Sequence, residues 1–169
     1  MRKSLILLLL ICGCASAPKA VPPPNPCSVV TADDVFGIFG APFDEPRKSV
    51  QTSGDITVTQ CYYGQPVRYA ADSMTIEFTT APDVHELWEK QFEPSEEGER
   101  EKESGEKHRI EVEGLGRDAF WGGNRVSGAL YVLAPSAIMR ISIGGSGDVA
   151  SKIERSKKVA MKALEKMGS

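Results

Sequence analysis

Four cysteines and two histidines are the side chains of this sequence most able to do chemistry: Cys12, Cys14, Cys27, Cys61, His85 and His108. Cys14 ends the string Ile11-Cys12-Gly13-Cys14, behind the basic start Arg2-Lys3 and an apolar run from Leu5 to Ile11. An aliphatic residue, two small ones and then cysteine is the pattern for thioether lipidation of an exported bacterial chain; Cys12 is its unusual member. The run is too short to span a bilayer as a helix, which needs ~20 residues. Residues 1–13 therefore read as an export signal cut before Cys14. Cys12 is the poorer acceptor, because bulky Ile11 precedes it. A competing cut after Ala15-Ser16-Ala17 would leave Pro18 first, which suits an ordinary signal peptidase badly. The expectation is a diacylglyceryl group on Cys14, with a further acyl chain such as palmitate on its amine. One acyl chain binds membranes only reversibly, at ~10⁴ M⁻¹, and two or more hold. Ala15 rather than Asp follows, which resembles sorting to an outer membrane facing the periplasm. In a host with one membrane the chain would sit on the outer face of the cell membrane.

Once Cys12 is removed and Cys14 lipidated, Cys27 and Cys61 remain, an even pair in an oxidising compartment. A disulfide between them is expected. Closing a loop of about 35 residues contributes ~4 kcal/mol in the chain-entropy model. The rival reading, two free or metal-binding thiols, would want His or further Cys nearby, and the sequence has none there. His85 and His108 lack metal spacing, and no nucleophile pairs with them recognisably. Gly145-x-Gly147-x-x-Ala150 partly fits a dinucleotide fingerprint. Only one helix follows it, without a parallel βαβ unit or an acidic ribose partner. Its glycines read instead as a turn from strand to helix. Trp88, Phe120 and Trp121 read as core or rim. No catalytic, cofactor-binding or metal-binding residue is assigned, and a non-enzymatic protein is expected.

Composition sets the frame for these residues. Of 169 residues, 156 remain after a cut before Cys14, enough for one domain with a core. The mature chain keeps 18 basic and 23 acidic side chains, about −5. That balance argues against nucleic acid, which wants a basic face, and against attraction to anionic lipid. Residues 14–26 hold the lipidated cysteine and a tether with five prolines, which deny helix and ladder pairing. As polyproline II, its twelve residues after Cys14 reach roughly 37 Å.

The folded domain is expected over 27–169. Thr31 caps a helix, with Asp34 at its third position, Val30 stapled to Val35, and an end at Gly40 and Pro42. Residues 43–54 read as loop. Ile56–Tyr63 and Ser73–Thr80 read as strands; in the second, Met74, Ile76 and Phe78 alternate with polar residues. Asp83 and Glu86 open a second helix with a stripe of Val84, Leu87, Trp88 and Phe92. Residues 93–107 carry seven Glu against three Lys/Arg and keep no apolar period, so a charged loop is expected near 93–108. Strands follow around Ile110–Val112, Asp118–Trp121, Gly128–Leu133 and Ala137–Ile143. A last helix runs from about Asp148 to Met167, with Val149, Ile153, Ala160, Leu164 and Met167 inward. Runs of strands broken by single helices predict an α+β fold: an antiparallel sheet with about three helices packed on one face.

These landmarks together resemble a family. Pro26-Cys27-Ser28-Val29-Val30-Thr31-Ala32-Asp33-Asp34-Val35 with Gly40 is similar to the opening of small bacterial lipoproteins of unknown function, common in actinobacteria. That opening reads Cys-Ser-Leu-Leu-Thr, then a helix, then Gly. Cys61-Tyr62 resembles the family's second cysteine with its following aromatic. Gly114-Leu115-Gly116-Arg117-Asp118-Ala119 resembles its Gly-Leu-Gly-Asp-x-Ala turn, with Arg117 inserted. The resemblance implies an exported single domain, a disulfide and an α+β fold, and carries no catalytic residues.

Two functions follow as expectations. The first is a membrane-anchored, non-enzymatic binding module for an envelope protein or a cell-wall component. The second is a carrier of a small molecule or lipid in an internal pocket, which needs an apolar cavity of several hundred Å³. A hydrolase with dispersed acids ranks third. No oligomeric state is assigned.

Overall fold

A computed structural model describes residues 23–66, 72–92, 108–123 and 127–168. Cys14, the signal segment 1–13, most of the tether and residues 93–107 of the charged segment lie outside the described residues. No helix among the described residues is long and apolar enough to cross a membrane.

The chain enters the fold through a single helical turn, α1 (Pro26–Val29), which the sequence reading misses. Asn25 caps it and Pro26 takes its first position, where a missing N–H costs nothing. α2 (Ala32–Phe39) has the expected reciprocal cap. Asp34 N donates to Thr31 Oγ1 at 3.2 Å, and Thr31 N donates to Asp34 Oδ2 at 2.9 Å. Val30 and Val35 are both fully buried in one core, and Gly40 ends the helix at φ 68°.

Residues 43–54 are not all loop. β1 (Arg47–Ser53) pairs with β2 (Ile56–Gly64) through a two-residue turn at Gly54-Asp55. Every residue of β1 is exposed, so no apolar alternation marks it. Its signal is the Gly-Asp turn, which is hairpin chemistry. β2 pairs with β3 (Ser73–Thr80), and α3 (Val84–Phe92) follows. β4 (His108–Glu111), β5 (Asp118–Gly123), β6 (Gly128–Leu133) and β7 (Ile138–Gly144) form a second meander, closed by α4 (Val149–Met167). β7 pairs with β3, so all seven strands form one antiparallel sheet, ordered β1-β2-β3-β7-β6-β5-β4. The protein is α+β.

The register builds the main core. Cys61, Ile76, Ile141, Leu130 and Trp121 stand in one cross-strand row, and all are buried. α1, α2 and α4 cover this face. Cys27 and Cys61 form a disulfide, Cα–Cα 5.3 Å, pinning α1 to β2. Tyr63 Oη donates to the Val30 carbonyl. Burial, with the charge of Asp34 adding to it, pushes the Tyr63 phenol up to about 12. On α4 the fully buried stripe is Ser156, Val159, Ala160 and Ala163. Ala160 stands in it as expected, and Val149, Ile153, Leu164 and Met167 pack half-buried against the same core. Small residues under the helix let its axis approach the sheet, and the longer aliphatics fill the sides.

α3 departs from the expectation of a shared helical face. Its Trp88 packs with Phe120, Leu133 and Ile138 in a separate cluster. Those three alternate along their strands with the main-core residues Trp121, Val132 and Met139, so they point to the opposite face. The sheet thus carries helices on both faces. Adjacent buried residues Phe120-Trp121 and Val132-Leu133 are the sequence signature of burial on two sides.

Candidate functional site

Among the described residues α3 covers part of its face, and a groove of about 730 Å³ lies beside it. The groove follows from one cross-strand row that passes through all seven strands: Arg47, Tyr62, Thr75, Ser142, Ala129, Gly122, Arg109. Six strand spacings give this row a span of roughly 29 Å. Its middle is small: Thr75, Ser142, Ala129 and Gly122 form the groove floor. A Cβ at Gly122 would stand 3.1 Å from the Phe120 ring and 3.4 Å from the Tyr131 ring, so both rings lean over this glycine.

The wall is aromatic. Phe120 and Tyr131 are stacked at 5.1 Å between centroids, and Phe92, from the last turn of α3, lies 5.2 Å and 5.0 Å from them. Trp88 locks α3 in place, its Nε1 donating to Asp118 Oδ2 at 3.2 Å.

Two guanidinium groups line the groove. Arg109 lies over the Phe120 ring at 3.8 Å. Its Nε is 2.6 Å from Glu111 Oε1, its Nη1 donates to the Phe92 carbonyl at 3.2 Å, and its Nη2 is 3.9 Å from Asp118 Oδ2. Arg140 is half-buried and stands over Tyr131, its Nε donating to Tyr131 Oη at 3.3 Å. Among the described residues no carboxylate oxygen lies within 4 Å of Arg140. Its register partner Glu77 takes a hydrogen bond from Gln60 instead. Of its five donors, Nε alone has a hydrogen-bond partner among the described residues. The hydroxyls of Ser73, Thr75 and Ser142 also line the groove, with no hydrogen bond to a described residue.

Of the residues singled out from sequence as core or rim, Phe120 stands in the groove wall; the others stand elsewhere. Cys27 and Cys61 are joined inside the opposite face. His85 is exposed on α3, 3.0 Å from Glu89; His108 opens β4. Trp121 is core, and Phe120 and Trp88 hold α3. Gly145 and Gly147 turn the chain from β7 into α4 at φ 92° and 106°. Between them Ser146 N and Oγ donate to Asp72 Oδ1, and Arg155 ties Asp72 at 3.5 Å. Sequence reasoning missed the groove. Its floor is serine, threonine, alanine and glycine, with Arg140 beside it, and only the register assembles them.

Fold and site define a class in structural terms: a disulfide-pinned antiparallel α+β domain with a groove on one sheet face among the described residues. No family model, no curated protein and no solved structure matches the chain.

Proposed function

We propose that this chain is an exported, non-enzymatic binding module, held to a membrane by lipid on Cys14, which grips a component of the cell envelope in the groove beside α3. The single observation that carries the reading is the groove itself: a concave floor of small residues, an aromatic wall, and Arg140 without an acidic partner among the described residues. Small side chains let a ligand approach the sheet backbone, and convergent polar groups orient it. The resemblance to small bacterial lipoproteins and the Ile11-Cys12-Gly13-Cys14 string support the export and anchoring. The carrier reading asks for an enclosed apolar space. The large side chains of the sheet, Trp121, Phe78 and Met74 among them, are packed against helices, and the 730 Å³ groove is polar as well as apolar.

The test is photo-crosslinking in the producing cell. A benzophenone amino acid placed at Thr75, on the groove floor, is compared with one at Met161, exposed on α4. The proposal expects an adduct with envelope material from Thr75 that is lost when Ser142→Trp fills the floor. An adduct from Met161 alone would place binding on the other face and end this reading.

A further inference from the structure

The groove says more about its ligand than that one exists. We infer that it takes a short anionic glycan, a hydroxyl-rich chain bearing carboxylate or phosphate; this rests on the groove being the binding site. The anion is argued from Arg140. Its guanidinium is half-buried, oriented by Tyr131 Oη, and unmatched by any carboxylate within 4 Å among the described residues. A planar fork held in this way pairs with carboxylate or phosphate through parallel N–H donors. Arg109, at the far end of the floor, is matched by Glu111 and Asp118 and adds no net positive charge, so the anion rests on Arg140.

The glycan is argued from the floor. Ser73, Thr75 and Ser142 offer hydroxyls that both donate and accept, matching the dual character of sugar hydroxyls. Tyr131 and Phe92 supply an apolar side for the ring faces. Among the described residues, the register partner of Arg140 is Glu77, engaged by Gln60, and Arg109 is met by Glu111 and Asp118. These carboxylates would repel a purely anionic ligand and favour one that carries its charge locally.

The experiment uses the full mature chain and isothermal titration with four probes. These are trigalacturonate, its methyl ester, a glycerol-phosphate trimer and tetraglutamate. The inference expects trigalacturonate or the phosphate trimer to bind, and whichever binds more tightly identifies the source of the anion. The methyl ester should bind about tenfold more weakly or worse, the scale of a hydrogen bond to a charged group. Arg140→Gln should weaken the anionic probe by a similar factor, Arg140→Lys should restore part of it, and Lys157→Gln on α4 should change nothing. Equal binding of the methyl ester overturns the anion while leaving the groove reading intact. Equal binding of tetraglutamate overturns the glycan. If no probe binds but Thr75 still crosslinks to envelope material, this inference falls alone; if neither occurs, both fall.

Discussion

Lys166 Nζ lies 2.8 Å from Asp34 Oδ2, joining the last turn of α4 to the first turn of α2 across 132 residues of sequence. The same carboxylate closes the cap of α2. Hydrogen bonding from Lys166, followed by that from Thr31, holds Asp34 down at about 2, against 3.8 for an ordinary aspartate. The sign follows from proton counting. Between these values the unfolded chain binds a proton that the native carboxylate does not, so stability rises with pH. The contribution is complete above about pH 4 and is lost as pH falls towards 2. Urea denaturation across pH 2–5 should show this slope, and Asp34→Asn should flatten it. An unchanged slope in that variant would place the dependence elsewhere.

The disulfide should carry much of the stability of the main core. Cys27 and Cys61 are 34 residues apart and Cys61 is fully buried. Replacing both by serine, or reducing them, should cost about 2–5 kcal/mol. The midpoint of chemical denaturation with and without reductant measures this directly.

Gly128 is required by Trp121. A Cβ at that glycine would fall 2.5 Å from the indole, which is fully buried beneath it. Gly128→Ala must displace the ring and should cost about 1–3 kcal/mol, as overpacking does. Near-ultraviolet circular dichroism should change along with the denaturation midpoint.

α3 should open more readily than the rest of the domain. It is held by one small cluster, Trp88 with Phe120, Leu133 and Ile138, outside the main core. Trp88→Ala should cost about 3–5 kcal/mol if α3 unfolds with the domain. It should cost less, with fast amide exchange confined to α3, if the helix opens alone. Hydrogen exchange of the unaltered chain is expected to give α3 weaker protection than β3 and β7.

What the sequence makes legible is local. The cap Thr31/Asp34, the alternation Met74/Ile76/Phe78 and the stripe Val84/Leu87/Trp88/Phe92 are short-range chemistry, and the elements stand where those signals put them. β1 escapes because an edge strand buries nothing, leaving only Gly54-Asp55 to announce it. The position of α3 escapes because a helix stripe says that a face is buried, not which side of a sheet buries it. The groove is the extreme case. Thr75, Ser142, Ala129, Gly122 and Arg140 come from four strands, and none carries a motif. Register alone gathers them.

Binding is proposed in the groove beside α3. Amide chemical shifts of the mature chain, recorded with and without envelope fragments from the producing cell, test it most directly. Saturable shifts are expected at Thr75, Gly122, Ala129, Arg140 and Ser142, with α2 and α4 unmoved. Shifts confined to α2 and α4, with the groove residues silent, would contradict it.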